Sequence, residues 1–281
     1  MKRQYILLLC CMLFRQTAFA QPTTTVDAPK LKTYTADDLV FKTGERLTLV
    51  ANYRWGIINS DVGEATMLVE QESFRDTSYF VARAYATTYK FWDNFFKVRD
   101  VYEGRFDMHT LRPLYFYRDI HEGDYKMVNT IYFNNDNYTI KASAKREKYP
   151  RRDTVLQGTA ATFDFISLFY NSRNIDFSTL SVGKTYPFSF VVDDEMFDLY
   201  YRFIGREEKN ISGLGRFRCL KFAAKLVAGE VFKGDSEVTI WITDDENRIP
   251  LLFESPVRVG TVSARLSKYA NLKYPLTSKI K

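Results

Sequence analysis

Histidine and cysteine are scarce in this chain of 281 residues. There are two histidines, His109 and His121, and three cysteines, two of them adjacent near the N-terminus. Neither histidine has a second one turn away, so a structural zinc site and the His-Glu-x-x-His class of metalloprotease are excluded. There is no Gly-x-Ser-x-Gly elbow and no Gly-rich phosphate loop. No apolar run reaches the about 20 residues a membrane-spanning helix needs. No cofactor is implied.

The N-terminus has the order of an export signal. Lys2 and Arg3 precede an apolar run over residues 6–14, Arg15 ends it, and Ala18-Phe19-Ala20 supplies small residues before Gln21-Pro22. This predicts a cleaved signal peptide over residues 1–20, a periplasmic or outer-membrane-associated location, and no transmembrane helix after cleavage. Cys10 and Cys11 lie inside the apolar run, which argues against lipid attachment there. Cleavage would remove three of the 40 basic residues, leaving 37 against 34 acidic ones. So nearly neutral a chain lacks the concentrated basic patch that nucleic acid requires. Cys219 alone would remain, too few for an internal disulfide.

Period two dominates the rest. Over residues 46–55, Leu47, Leu49, Ala51, Tyr53 and Trp55 alternate with polar neighbours, Val50 being the exception. Residues 137–145, 238–243 and 262–267 alternate likewise. These are half-buried antiparallel strands. Turn signals separate them at Glu122-Gly123-Asp124, Asn134-Asn135-Asp136-Asn137, Ser212-Gly213-Leu214-Gly215 and Asp244-Asp245-Glu246-Asn247. About a dozen strands are expected. Two segments break the pattern. Residues 89–98 carry Phe91, Trp92, Phe95 and Phe96, a short helix or turn with an apolar face. Residues 159–172 place Phe165, Leu168, Phe169 and Ser172 on one helical stripe, with Ala161 a turn before it. The expected fold is mainly β: a curved antiparallel sheet or incomplete β-barrel packing around one mid-chain helix. A flexible lead-in is expected over residues 21–38, one β-rich domain over 39–275 (or two lobes, 39–158 and 159–275), and a tail over 276–281.

Phe, Tyr and Trp make up 16% of the chain. They are enough to fill a wide core, or to line an apolar groove for a lipid-like ligand or a hydrophobic segment of an envelope protein. The candidate lining residues are Trp55, Phe91, Trp92, Phe95, Phe96, Phe165 and Phe169. Two other readings stay open. One is a polysaccharide-active enzyme using paired carboxylates among Asp193, Asp194, Asp244 and Asp245, although runs of acids at strand ends ordinarily form solvated turns. The other is a structural subunit of an outer-membrane assembly. His121, in an apparent hairpin turn, and Cys219, within a strand, read as structural rather than catalytic.

Three stretches resemble a known family. They are Thr43-Gly44-Glu45-Arg46-Leu47 through Trp55-Gly56 to Val62-Gly63-Glu64-Ala65; Asp164-Phe165-Ile166-Ser167-Leu168-Phe169-Tyr170; and Ile240-Trp241-Ile242-Thr243-Asp244-Asp245 through Pro250 to Val259-Gly260-Thr261-Val262. Together they resemble the exported bacterial family catalogued as domain of unknown function 3108. The resemblance implies a β-rich fold and a Gram-negative envelope location, and no activity. Trp55, Gly63, Asp164, Trp241, Asp244 and Pro250 enter as motif residues with structural jobs, such as a positive-φ turn at Gly63.

Overall fold

The alternation over residues 46–55 becomes a strand with those bounds, β1 (Arg46–Trp55). In this computed structural model, which describes residues 32–75, 77–225, 237–257 and 259–280, fourteen more strands follow. The first flank is β2 (Ile58–Phe74), β3 (Thr77–Thr88), β4 (Arg99–Asp107), β5 (Pro113–Glu122), β6 (Tyr125–Phe133), β7 (Thr139–Arg146) and β8 (Arg152–Gln157). The short β9 (Thr162–Phe163) and helix α1 (Phe165–Arg173) lead into the second flank. That flank is β10 (Thr185–Val192), β11 (Glu195–Ile211), β12 (Gly215–Lys225), β13 (Glu237–Thr243), β14 (Pro250–Pro256) and β15 (Thr261–Ala270). All four predicted turns fall between consecutive strands.

The strands form one mostly β, open sheet in the order β8 to β1, then β15 to β9. Every pairing is antiparallel except that of β9 with β10. β1 and β15 meet at the centre, so segments 39–158 and 159–275 supply two flanks of one sheet. The outer edges, β8 and β9, are separated in sequence only by residues 158–161. That link reaches at most about 3.6 Å per residue, so the sheet must roll until its edges approach.

Side chains show how the roll closes. Pairing places Arg118 opposite Tyr102 and Asn129, Asn129 opposite Ala144, and Ala144 opposite Arg152, a row across the inner face of β4–β8. The β10–β11 turn, Asp193-Asp194, sits on that row. Arg118 and Arg146 pair with Asp193, and Arg152 approaches Asp194 at 3.0 Å. The Asn129 amide donates to the Asp193 carbonyl at 2.8 Å and its oxygen accepts from the Asp193 amide. Val191 and Met196 from this hairpin pack into the first flank's core. The second edge therefore tucks inside the first.

Helix α1 lies within the roll. Asp164 caps it, accepting from the Ile166 and Ser167 amides, and the Ser167 hydroxyl returns a bond to Asp164. The buried stripe is Ile166, Ser167, Tyr170 and Arg173, not the expected Phe165, Leu168, Phe169 and Ser172. The helix also starts six residues later than the expected segment. Ile166 presses on β4 where Gly104 has no side chain; a Cβ there would stand 2.4 Å from Ile166. Tyr170 packs among Phe41, Phe80, Phe106 and Phe116. The helix end is fixed by a buried ion pair between Arg173 and Glu45 at 2.5 Å, with Arg173 also donating to the Asn247 carbonyl.

Near the termini, Tyr34 of the expected lead-in belongs to the core while residues 35–38 are exposed, and the expected domain begins with buried Leu39, Val40 and Phe41; residues 21–31 lie outside the described residues, as does the predicted signal peptide. In the expected tail, Ser278 is buried and Arg218 donates its amide to the Ser278 carbonyl.

Candidate functional site

Coverage of the inner face changes along the strands. At the base, Val69 and Met67 of β2 are 0% and 5% exposed, and Leu47 of β1, Phe80 and Ala82 of β3 and Leu266 of β15 are also buried. Two or four residues toward the other end, Ala65, Ala86 and Ala51 are only half-buried. Their register makes a belt: Ala65 opposes Ala86 and Leu49, and Ala51 opposes Gly63 and Ala264. Small side chains on adjacent strands leave room in front of them. The belt continues onto the second flank through Phe253, opposite Ala264, and Ile240, opposite Phe253, both half-buried. Phe165 leans on Tyr102, the inward residue of β4, with ring centroids 5.9 Å apart, yet is 41% exposed. The roll is thus filled by α1 and its rings at the base, half-buried over the alanine belt, and buried again toward the opposite end at Tyr53, Thr88, Asp100 and Glu122.

That opposite end is where the β1–β2, β3–β4, β5–β6, β7–β8 and β14–β15 connections emerge. Trp92, in the 3-10 turn Trp92–Asn94, packs against Tyr53, Val62, Val257 and Val262 and donates its indole N–H to the Asp61 carbonyl at 3.0 Å. The Tyr53 hydroxyl donates to the Val259 carbonyl at 2.9 Å. Three connections are so tied into one rim. Asp93 accepts from Thr88 and Arg99, which hold its carboxyl below the usual range, and Arg265 does the same for Asp61.

The seven predicted rings divide between these places. Phe91, Trp92 and Phe95 form a mutual cluster at 5.5–5.7 Å on the rim. Phe91 and Phe95 are 66% and 64% exposed, and Trp55, at the end of β1, is 54% exposed. Phe96 lies against Gly123 of the β5–β6 turn. Phe165 packs on Tyr102 of β4, while Phe169 is half-buried between two core clusters. The period-two reading missed that Trp55, though in phase with Leu47 and Tyr53, stands beyond the core. It also missed the belt and the rim residues Ile57, Ile58 and Val259. An isoleucine pair following Gly56, in a two-residue turn where polar residues are ordinary, was the available signal.

The carboxylates do not converge. Asp193 and Asp194 are buried against arginines, a correction to the solvated turn expected there. Asp244 pairs with Arg206, and Asp245 accepts from Thr243, Asn247 and Ser278. This second pair borders a cleft of roughly 390 Å³ at the base, beside Phe177 and Arg248, that none of the seven rings lines. His121 lies in β5 rather than a turn, 3.0 Å from Asp119. Cys219 is buried, which pushes its thiol up to about 12 and leaves it un-ionised. Trp241 is buried on the face expected to be wet, its N–H donated to Glu207. Gly63 serves close approach instead of a positive-φ turn, since a Cβ would meet the Thr87 carbonyl at 2.4 Å. Among the described residues no group of three or more His, Cys, Asp or Glu side chains is placed to hold a metal.

No curated protein matches the sequence. The fold is similar to the crystal structure of a β-barrel-like protein of domain of unknown function DUF1849 from Brucella abortus, with a TM-score of 0.51 and 10% identity, covering 83% of this chain and 99% of that one. A crystal structure described as "a putative lipoprotein from Parabacteroides distasonis" aligns with a TM-score of 0.35 and 10% identity over 83% of this chain and 98% of that one. The family described as "Protein of unknown function (DUF3108)" matches residues 51–267. Given a match across most of the sheet, from within β1 to within β15, the chain belongs to the DUF3108 family.

Proposed function

We propose that this is an envelope protein that holds the apolar chain of a lipid-like ligand inside the rolled sheet, without catalysing a reaction. The observation that carries the reading is the band of half-buried small residues Ala51, Ala65 and Ala86 on the inner face, between buried Val69 and Met67 on one side and buried Tyr53 and Thr88 on the other, with the partly exposed ring of Phe165 on Tyr102. A binding site for an acyl chain needs apolar walls, missing side-chain volume and a mouth. The alanine belt supplies the missing volume, Phe253, Ile240 and Phe165 supply wall, and the ring cluster of Phe91, Trp92 and Phe95 stands at the far end, over the buried Tyr53, Val62, Val257 and Val262.

The energetics are adequate. Each enclosed methylene contributes about 0.8 kcal/mol. About ten of them give roughly 8 kcal/mol before the costs of association, enough to offset much of that cost. The export signal read in the sequence places such a ligand in the envelope. The carboxylate-enzyme alternative has less support, because Asp193 and Asp194 are neutralised by Arg118, Arg146 and Arg152.

The test is titration of a fluorescent fatty-acid analogue. The native chain is expected to bind it saturably, and Ala65→Phe with Ala86→Phe to weaken binding at least about tenfold with an unchanged circular dichroism spectrum. Equal binding by the filled variant would contradict the proposal.

A further inference from the structure

The rim has more apolar exposure than a ligand mouth requires. Ile57 at the tip of the β1–β2 turn is fully exposed, and Trp55, Phe91, Phe95 and Val259 are all at least half exposed. These side chains project from three connections that the Trp92–Asp61 and Tyr53–Val259 hydrogen bonds hold together, so they form a built surface rather than separate loop tips. Scattered single apolar residues would need no explanation, but a contiguous patch does.

The charges around the patch are asymmetric. Asp61 and Asp93 are neutralised by Arg265 and Arg99, and Glu254 faces Arg54. Lys90, Lys97 and Lys148, on connections that emerge at this same end, are exposed and have no ion pair among the described residues. Of the exposed acids on these connections among the described residues, Glu147 pairs with Lys126, and Asp124 of the β5–β6 turn opposes the lysines. Tyr149, beside Lys148, is 64% exposed. Aromatic and aliphatic side chains surrounded by lysines suit the boundary between acyl chains and anionic headgroups, where rings sit at headgroup depth and lysine stems reach back to phosphate.

We infer that this end of the protein docks on a bilayer surface carrying anionic lipid, inserting Trp55, Ile57, Phe91 and Phe95. The inference rests on the proposed lipid-like ligand for its purpose, but its geometry is that of the outer rim and not of the alanine belt. A protein partner would need a complementary concave surface; a bilayer needs only the convex apolar tip and its cationic collar.

The experiment is co-sedimentation of the full chain with phosphatidylcholine vesicles made with and without phosphatidylglycerol, together with tryptophan emission. The native chain is expected to sediment with the anionic vesicles, with emission of the two rim tryptophans, exposed Trp55 and half-buried Trp92, shifting to the blue while buried Trp241 contributes no change. Ile57→Ser with Phe91→Ser and Phe95→Ser, all at exposed positions, should weaken vesicle binding at least about tenfold. Lys90→Glu with Lys97→Glu should weaken it on anionic vesicles at low salt. The inference is overturned if the native chain ignores both vesicles, or if the serine variant binds as well as the native one. It is also overturned if the native chain self-associates in sedimentation velocity and the serine variant does not, since that would assign the rim to a second copy. The fatty-acid analogue, titrated without vesicles, separates the two proposals. Retained probe binding with no vesicle binding removes the docking surface alone, and absent probe binding removes the ligand reading.

Discussion

Asp164 shows how much one residue does in this fold. Its carboxylate is fully buried at the N-terminus of α1, accepting two backbone N–H bonds and the Ser167 hydroxyl. Burial raises its pKa from 3.8 to about 6 against the lowering effect of those bonds. The folded chain therefore binds this proton more tightly than the unfolded chain does between about pH 4 and pH 6, and the group's contribution to stability falls as pH rises through that window. Asp164→Asn keeps a capping oxygen and removes the titration. The stability difference between the Asn variant and the native chain should move in the variant's favour by about 2–3 kcal/mol from pH 4 to pH 7, read from urea midpoints; a pH-independent difference would refute the assignment. At this scale residue chemistry was legible and orientation was not. Phe91, Trp92 and Phe95 were recognised as a cluster from their spacing. The stripe on α1 was misread because a helix enclosed by sheet has no uniformly wet face. Phe165 and Phe169 are as apolar as Ile166 and Tyr170, and periodicity alone cannot rank them.

The element that decides the architecture is the β10–β11 hairpin. Its turn residues Asp193 and Asp194 are anchored to Arg118, Arg146, Arg152 and Asn129, which belong to four different strands. The β8 and β9 edges are not paired with each other, so this cluster closes the roll in place of a hydrogen-bonded ladder. Removing one side of a buried ion pair leaves the other charge uncompensated, at a cost of about 3–5 kcal/mol. Asp193→Asn with Asp194→Asn should accordingly lower stability by that order. In hydrogen exchange, amides of β10 and β11 should lose protection before those of β1 and β15 at the sheet centre. Loss of protection spread evenly over all strands would contradict a closing role. The sequence marked this turn correctly as a turn and wrongly as wet. The arginines that bury it lie 41 to 75 residues earlier, in strands whose polar positions looked like ordinary wet faces, and no local pattern joins them. By contrast, β1 was read with its exact bounds because one strand's alternation is a local property.

At the scale of the molecule, the fifteen strands of the described residues make a rolled sheet with a filled base and a band of half-buried alanines above it. The similarity to the β-barrel-like protein of Brucella abortus supports this architecture and extends to the fold alone. A curved sheet around a mid-chain helix was readable from the order of strand and helix signals, since a helix flanked by sheet needs an apolar face to pack on. The strand order was not readable, because β1 pairs with β15 across more than two hundred residues. The alanine belt was not readable either. Ala51, Ala65, Ala86 and Ala264 look like unremarkable strand residues until register sets them side by side. The aromatic richness that first suggested a groove is divided among three places: Phe41, Phe80 and Phe106 fill the base, Phe165 packs on Tyr102 and Phe253 stands opposite Ala264, and Phe91 and Phe95 crown the rim.

The central claim is that the interior holds an apolar chain. Native mass spectrometry of protein purified from the envelope tests it most directly. The account predicts a population heavier than the polypeptide by the mass of a lipid, released on denaturation and lost in the Ala65→Phe, Ala86→Phe variant. A single species at the polypeptide mass, both from the envelope and after incubation with extracted envelope lipid, would contradict it.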